Sequence, residues 1–106
     1  MELKTEVVQH NLTFGDAIEA AKQGCKIARE GWNGKNMFVI YVPGHESIRP
    51  VAGTPYSDHG ITEDIEILPH FDMYTVNAHG RRAMLPGWLA SQTDMDQRDW
   101  CIVTTY

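Results

Sequence analysis

Four aromatic side chains border turns in this sequence: Trp32, Phe71, Trp88 and Trp100. An aromatic face at a loop edge, opposed by an arginine, can stack a purine, and it can equally anchor a small core. Ser91, Gln92, Thr93 and Asp94 follow Trp88 closely and offer donors and acceptors for hydroxyls and base edges. The competing role for these four is helix capping, and Ser91 can serve both. Five histidines, His10, His45, His59, His70 and His79, show no pairing at zinc-ligand spacing. Asp58-His59 and His70-x-Asp72 are spaced for acid–base work, but no nucleophile motif accompanies either. No glycine-rich dinucleotide fingerprint or phosphate-binding loop is present.

These groups must be positioned by a chain of 106 residues, 42% of them hydrophobic. That is one domain with a modest core, here the single ligand-binding domain 1–106. No stretch is long and apolar enough to span a bilayer, and the first residues do not form a signal peptide, so an intracellular protein is expected. Cys25 and Cys101 lack metal or redox spacing and read as buried free thiols. The net charge of -5 argues against long nucleic acid as a partner. It leaves room for a small anion held by some of Arg29, Arg49, Arg81, Arg82 and Arg98.

Residues 1–11 read as an edge strand or a frayed arm, broken at His10-Asn11. Thr13 and Asp16 are spaced as a capping box, and Phe14, Ala17, Ile18 and Ala21 fall on one helical face. A helix is therefore expected from about Phe14 to Gln23, stopped by Gly24. Cys25–Arg29 and Met37–Val42 read as a strand hairpin around a turn at Asn33-Gly34. Residues 45–63, with Pro50, Gly53, Pro55 and Gly60, read as a long irregular loop: a lid, an oligomer contact or a disordered insertion. A short strand at 65–68, a hairpin of 71–76 with 81–85, a short helix from Ser91 to about Arg98 and a last strand at 101–105 complete the chain. The fold class is α+β, with a mostly antiparallel sheet.

Several of these stretches occur together in a known family. Phe14-Gly15-Asp16-Ala17-Ile18, Ala28-Arg29-Glu30-Gly31-Trp32-Asn33-Gly34-Lys35, Met37-Phe38, Leu68-Pro69-His70-Phe71-Asp72-Met73 and Trp88-Leu89-Ala90-Ser91-Gln92-Thr93-Asp94-Met95 with Asp99-Trp100 resemble the Thoeris anti-defense 1 family of phage proteins. The resemblance runs from about Leu12 to Val103. It implies a sponge and not an enzyme, one that binds and sequesters glycocyclic ADP-ribose without degrading it. The Thoeris effector then stays inactive in the cytoplasm of the infected bacterial host. It also implies a homodimer or hexamer with pockets at subunit interfaces, no cofactor, and cyclic di- or trinucleotides as further ligands in separate pockets.

On that resemblance, Phe71 would stack adenine and Arg98 would cover its other plane or contact phosphate. Ser91, Thr93 and Asp94 would bond riboses and base edges, and Asn33, Met37 and Trp88 would line the wall. Trp32 and Trp100 are assigned to the core. Two rivals remain: a signal-degrading enzyme using His70 and Asp72, and a non-catalytic phage structural or interaction module.

Overall fold

The computed structural model describes residues 5–32 and 36–105. Residues 1–4 of the expected edge strand or arm, the Asn33-Gly34 turn and the candidate Asn33 lie outside them. The chain runs β1 (Thr5–Leu12), α1 (Phe14–Lys22), β2 (Lys26–Arg29), β3 (Phe38–Val42), β4 (His45–Ile48), α2 (Pro55–Asp58), β5 (Ile65–Ile67), β6 (His70–Val76), β7 (Arg82–Pro86), α3 (Gln92–Asp96) and β8 (Trp100–Thr105). Six strands form one antiparallel sheet in the order β1-β8-β2-β3-β6-β7, and β4 and β5 form a separate pair. The α+β class read from the sequence is the class observed.

The α1 cap is as expected. Thr13 Oγ1 accepts the Asp16 amide hydrogen at 3.1 Å, and the Asp16 carboxylate accepts that of Thr13 at 3.4 Å. Ala17 and Ala21 are buried, and their small side chains bring the helix close to the sheet. Gly24, at φ +101°, ends it.

Strand alternation then sorts the sheet into two faces. The register Ile27↔Val39↔Met73 puts these three in one row, packed with Ala17, Ala21 and Trp100 as the core under α1. The register Phe38↔Tyr74↔Met84 runs along the opposite face, where Ala28, Phe38, Tyr74, Cys101 and Val103 form a second cluster. The Phe38 and Tyr74 rings stack there at 4.7 Å and 14°.

Three expectations need correction. His10-Asn11 does not end β1: Asn11 takes φ +59° within a register irregularity, and pairing resumes at Leu12↔Trp100. Residues 45–63 are not an irregular loop either. They hold β4 and the single turn α2, and the segment folds back through β5 as a two-stranded arm. Its base is pinned where Gly44, at φ +83°, lies so near the Ile67 carbonyl that a Cβ would stand 2.1 Å from it. Proline and glycine punctuation hid this pairing because its partners, His45 with Ile67 and Ile48 with Ile65, are far apart in sequence. α3 stops at Asp96, two residues before the expected end.

Candidate functional site

The end of the sheet nearest α3 is organised by Arg29. β2 carries this residue on the α1 side, opposite Trp100 on β8. Its Nε donates to Asp99 Oδ1 at 2.9 Å, one terminal nitrogen donates to Asp99 Oδ2 at 3.3 Å, and the other donates to Asp94 Oδ1 at 2.8 Å. The fork geometry suits a guanidinium and would not suit a lysine.

Asp94 is the hub. It sits three residues after Ser91 because the α3 cap requires an acid there: Ser91 Oγ accepts the Asp94 amide hydrogen at 3.0 Å, and Asp94 Oδ2 accepts that of Ser91 at 3.0 Å. Trp32 Nε1 donates to its Oδ1 at 3.3 Å, and Trp100 Nε1 donates to its backbone carbonyl at 2.7 Å. Burial opposes the Asp94 charge, yet the Ser91 amide, Arg29 and Trp32 together hold its carboxyl below the ordinary carboxylate value. The Arg29 hydrogen bond does the same for Asp99, and Asp99 in turn raises Arg29. Asp99 Oδ2 also accepts the Gly31 amide hydrogen at 3.0 Å, so closely that a Cβ at Gly31 would lie 2.7 Å from that oxygen. Arg29 is thus committed to two aspartates and is not available for an anion. Arg49 is likewise paired, with Asp64.

On this base stands an aromatic shelf. Trp32, Trp88 and Trp100 meet edge to face at 5.5 to 6.3 Å. Trp100 is fully buried, whereas Trp32 and Trp88 are half-buried against the core. Phe71 and Tyr41, opposite each other on β6 and β3, have ring centroids 5.3 Å apart. Phe71 is joined to Trp88 through its carbonyl, which accepts the Trp88 amide hydrogen at 2.8 Å. Met37 is half-buried against the same core cluster.

The structure joins Phe71 to Trp88, and both, like Met37, are half-buried against the core under α1. Ser91 and Asp94 sit at the α3 cap, with the Asp94 carboxylate engaged by Arg29, Trp32 and Ser91. Thr93 and Arg98 are exposed, and neither side chain has a hydrogen bond or ion pair among the described residues. Tyr41 was not singled out in the sequence; its place in a continuous apolar strand resembles any core residue. The Arg29–Asp99 pair was hidden too, because seventy residues separate its members.

His70 and Asp72 are held in a different arrangement. His70 Nδ1 bonds the Leu68 carbonyl at 2.8 Å, and its Nε2 lies 3.4 Å from Asp72 Oδ1. That same Oδ1 accepts the Gly87 amide hydrogen at 3.0 Å. The pair clamps the turn that delivers Trp88.

Two comparisons bear on this arrangement. A family model described as the Thoeris anti-defense 2-like domain matches residues 12–103. A protein of Bacillus phage SP01 named Thoeris anti-defense 2 is 33% identical over 95 residues, which cover 88% of this chain and 96% of that relative. The resemblance drawn from the sequence named Thoeris anti-defense 1, a different family directed at the same system, and is corrected. The motifs behind it are largely scaffold: two capping boxes, the Arg29 ion pairs and buried Trp100. Short scaffold motifs mark a fold more firmly than they separate families that share a target. The chain belongs to the Thoeris anti-defense 2-like family.

Proposed function

We propose that this protein is a phage sponge that binds and sequesters glycocyclic ADP-ribose without degrading it, keeping the Thoeris effector inactive in the cytoplasm of the infected host. The observation that carries the reading is the family match across residues 12–103. The family's name supplies the target system; the ligand and the sequestering mode are our reading.

The shelf has the chemistry such a ligand needs. Adenine requires a flat face, supplied by Phe71 beside Trp88, with Met37 as an adaptable wall. Riboses and pyrophosphate require hydroxyl partners and a cation, supplied by Ser91, Thr93 and the exposed Arg98. Asn33 belongs to the same proposed set. Asp94 acts in it as the residue that fixes Trp32, Arg29 and the α3 cap, because its carboxylate already accepts from all three.

A sponge must outcompete a receptor. Nanomolar affinity corresponds to about -12 kcal/mol and calls for an enclosed, preorganised site. The shelf is open on one chain, so we place its closure at an interface with a second copy, in a dimer or a larger homo-oligomer. The degrading-enzyme reading is disfavoured: the His70–Asp72 pair is spent on the Leu68 carbonyl and the Gly87 amide.

Mixing protein with glycocyclic ADP-ribose, separating the bound fraction and heat-denaturing it tests the proposal. Full recovery of intact ligand is expected. A cleaved product would reinstate an enzyme, and no depletion of free ligand would favour an interaction module. Arg98→Ala should weaken binding at an unchanged urea midpoint, and Phe71→Ala should weaken it more.

A further inference from the structure

The face of the sheet opposite α1 holds a polar group that the fold does not satisfy. Phe38 on β3, Tyr74 on β6 and Met84 on β7 share one row across that face. Phe38 and Tyr74 stack on each other and are only 4% and 5% exposed. The Tyr74 hydroxyl is buried and has no hydrogen-bond partner among the described residues. Buried hydroxyls are nearly always bonded, and one left without a partner lowers stability, so its presence calls for a reason.

The surroundings of Tyr74 supply one. It lines a depression of about 340 Å³ together with Arg82, Ala83 and Met84. Tyr74 stands opposite Met84, and Val76 stands opposite Arg82. Arg82 and Met84 therefore share the face of Tyr74, with Arg82 as its diagonal neighbour. Ala83 belongs to the alternate face and borders the depression at the open edge of β7. Arg82 is exposed and makes no ion pair among the described residues. On the same face, Asp72 already accepts the Gly87 amide hydrogen and lies near His70, and Lys26 Nζ sits 6.0 Å from the Phe38 ring centroid. A guanidinium and a phenol without partners thus border one hollow whose other walls are hydrocarbon.

These groups select a class of ligand. Two guanidinium N–H groups and one phenol O–H match the two oxygens of a carboxylate. The hollow offers one cation in a protein of net charge -5, which disfavours a phosphate dianion or a polyphosphate. Ala83 and Met84 present apolar contact to the body that carries the charge. The volume lies at the low end of the roughly 300–1,000 Å³ of small-molecule sites, so that body is small.

We propose that Tyr74 and Arg82 form a second binding site, for a small monocarboxylate with an apolar body. Arg82 pairs with the carboxylate through two N–H groups. Met84, unbranched and with three rotatable bonds, moves aside so that one carboxylate oxygen accepts from the Tyr74 hydroxyl. The site lies across the sheet from the aromatic shelf and does not rest on the sponge reading; either can fail while the other holds.

Isothermal titration calorimetry of the whole chain with sodium hexanoate and with sodium benzoate tests it. Saturable, submillimolar binding of at least one acid is expected, with acetate and inorganic phosphate about tenfold weaker or more. Tyr74→Phe and Arg82→Gln should each weaken binding by about tenfold. Arg49→Gln, which removes the same charge from the exposed arm, should leave it unchanged. Tyr74→Phe should also keep or raise the urea midpoint, because it deletes a hydroxyl that the folded chain leaves unbonded. A lowered midpoint would give that hydroxyl a structural partner and overturn the site. Binding of neither acid, tighter binding of phosphate, full affinity in Tyr74→Phe or Arg82→Gln, or equal weakening by Arg49→Gln would overturn it as well.

Discussion

Arg29 donates to Asp94 at 2.8 Å through side chains only 11% and 12% exposed; on the arm, Arg49 donates to Asp64 at the same 2.8 Å through side chains 68% and 55% exposed. Geometry does not distinguish these pairs, but their surroundings do. Around Asp94 an indole, a capping hydroxyl and a backbone amide share the charge, and removal of any partner strands the others out of water. Around Asp64 water replaces whatever is lost. The difference divides the molecule into a shelf built to hold fixed positions and an arm that leaves Val51, Tyr56 and Ile61 exposed. Preorganisation at the shelf is what a tight binder requires.

The sharpest break of the comparison is Trp100→Ala. It empties the most buried aromatic of the core and removes the indole bonded to the Asp94 carbonyl. A loss of about 3–5 kcal/mol is expected in urea unfolding, enough to leave little folded protein. Asp94→Ala follows, at about 3 kcal/mol, because Arg29 and Trp32 lose a partner inside a partly buried cluster and α3 loses its cap.

Acid gives a smaller, graded effect of defined sign. Asp94 and Asp99 are held below the ordinary value of 3.8 in the folded protein. Their contribution is therefore complete above pH 3.8 and is lost as pH falls through the lower folded values, since the unfolded chain takes up protons first. Urea midpoints measured from pH 6 down to pH 2 should fall below about pH 4, and Asp94→Asn should flatten part of that slope. The smallest effect belongs to the arm: Arg49→Ala should change stability by no more than about 0.5 kcal/mol. A loss there as large as that of Asp94→Ala would erase the distinction between the two regions.

Cys101 sharpens the contrast chemically. Burial, aided by Glu30 and Asp99, pushes its thiol up to about 11. It should resist alkylation at pH 8 in the native protein and react at once in urea.

Local signals in the sequence were legible where a short rule applies. Thr13-x-x-Asp16 and Ser91-x-x-Asp94 name both caps, alternation names β2 and β6, and the turn at Asn77–Gly80 names β7 as the returning arm of a hairpin. Nothing local announces that Arg29 and Asp99, seventy residues apart, form a bidentate pair, or that β8 inserts between β1 and β2. Such pairings are decided by the packing of the whole sheet. The same limit explains Asp94: its position after Ser91 fits both a ligand group and a cap, and only the fold reveals the donors already spent on its carboxylate. The arm was obscured by Pro50, Gly53 and Pro55, which read as loop residues although they connect two paired strands.

Native mass spectrometry of the purified protein, with and without glycocyclic ADP-ribose, tests the central claim most directly. The account predicts an oligomer that gains the unmodified mass of the ligand at a fixed ratio per pair of chains, and releases it intact on denaturation. An oligomer that gains no ligand mass at micromolar concentration, or that releases fragments, would contradict it.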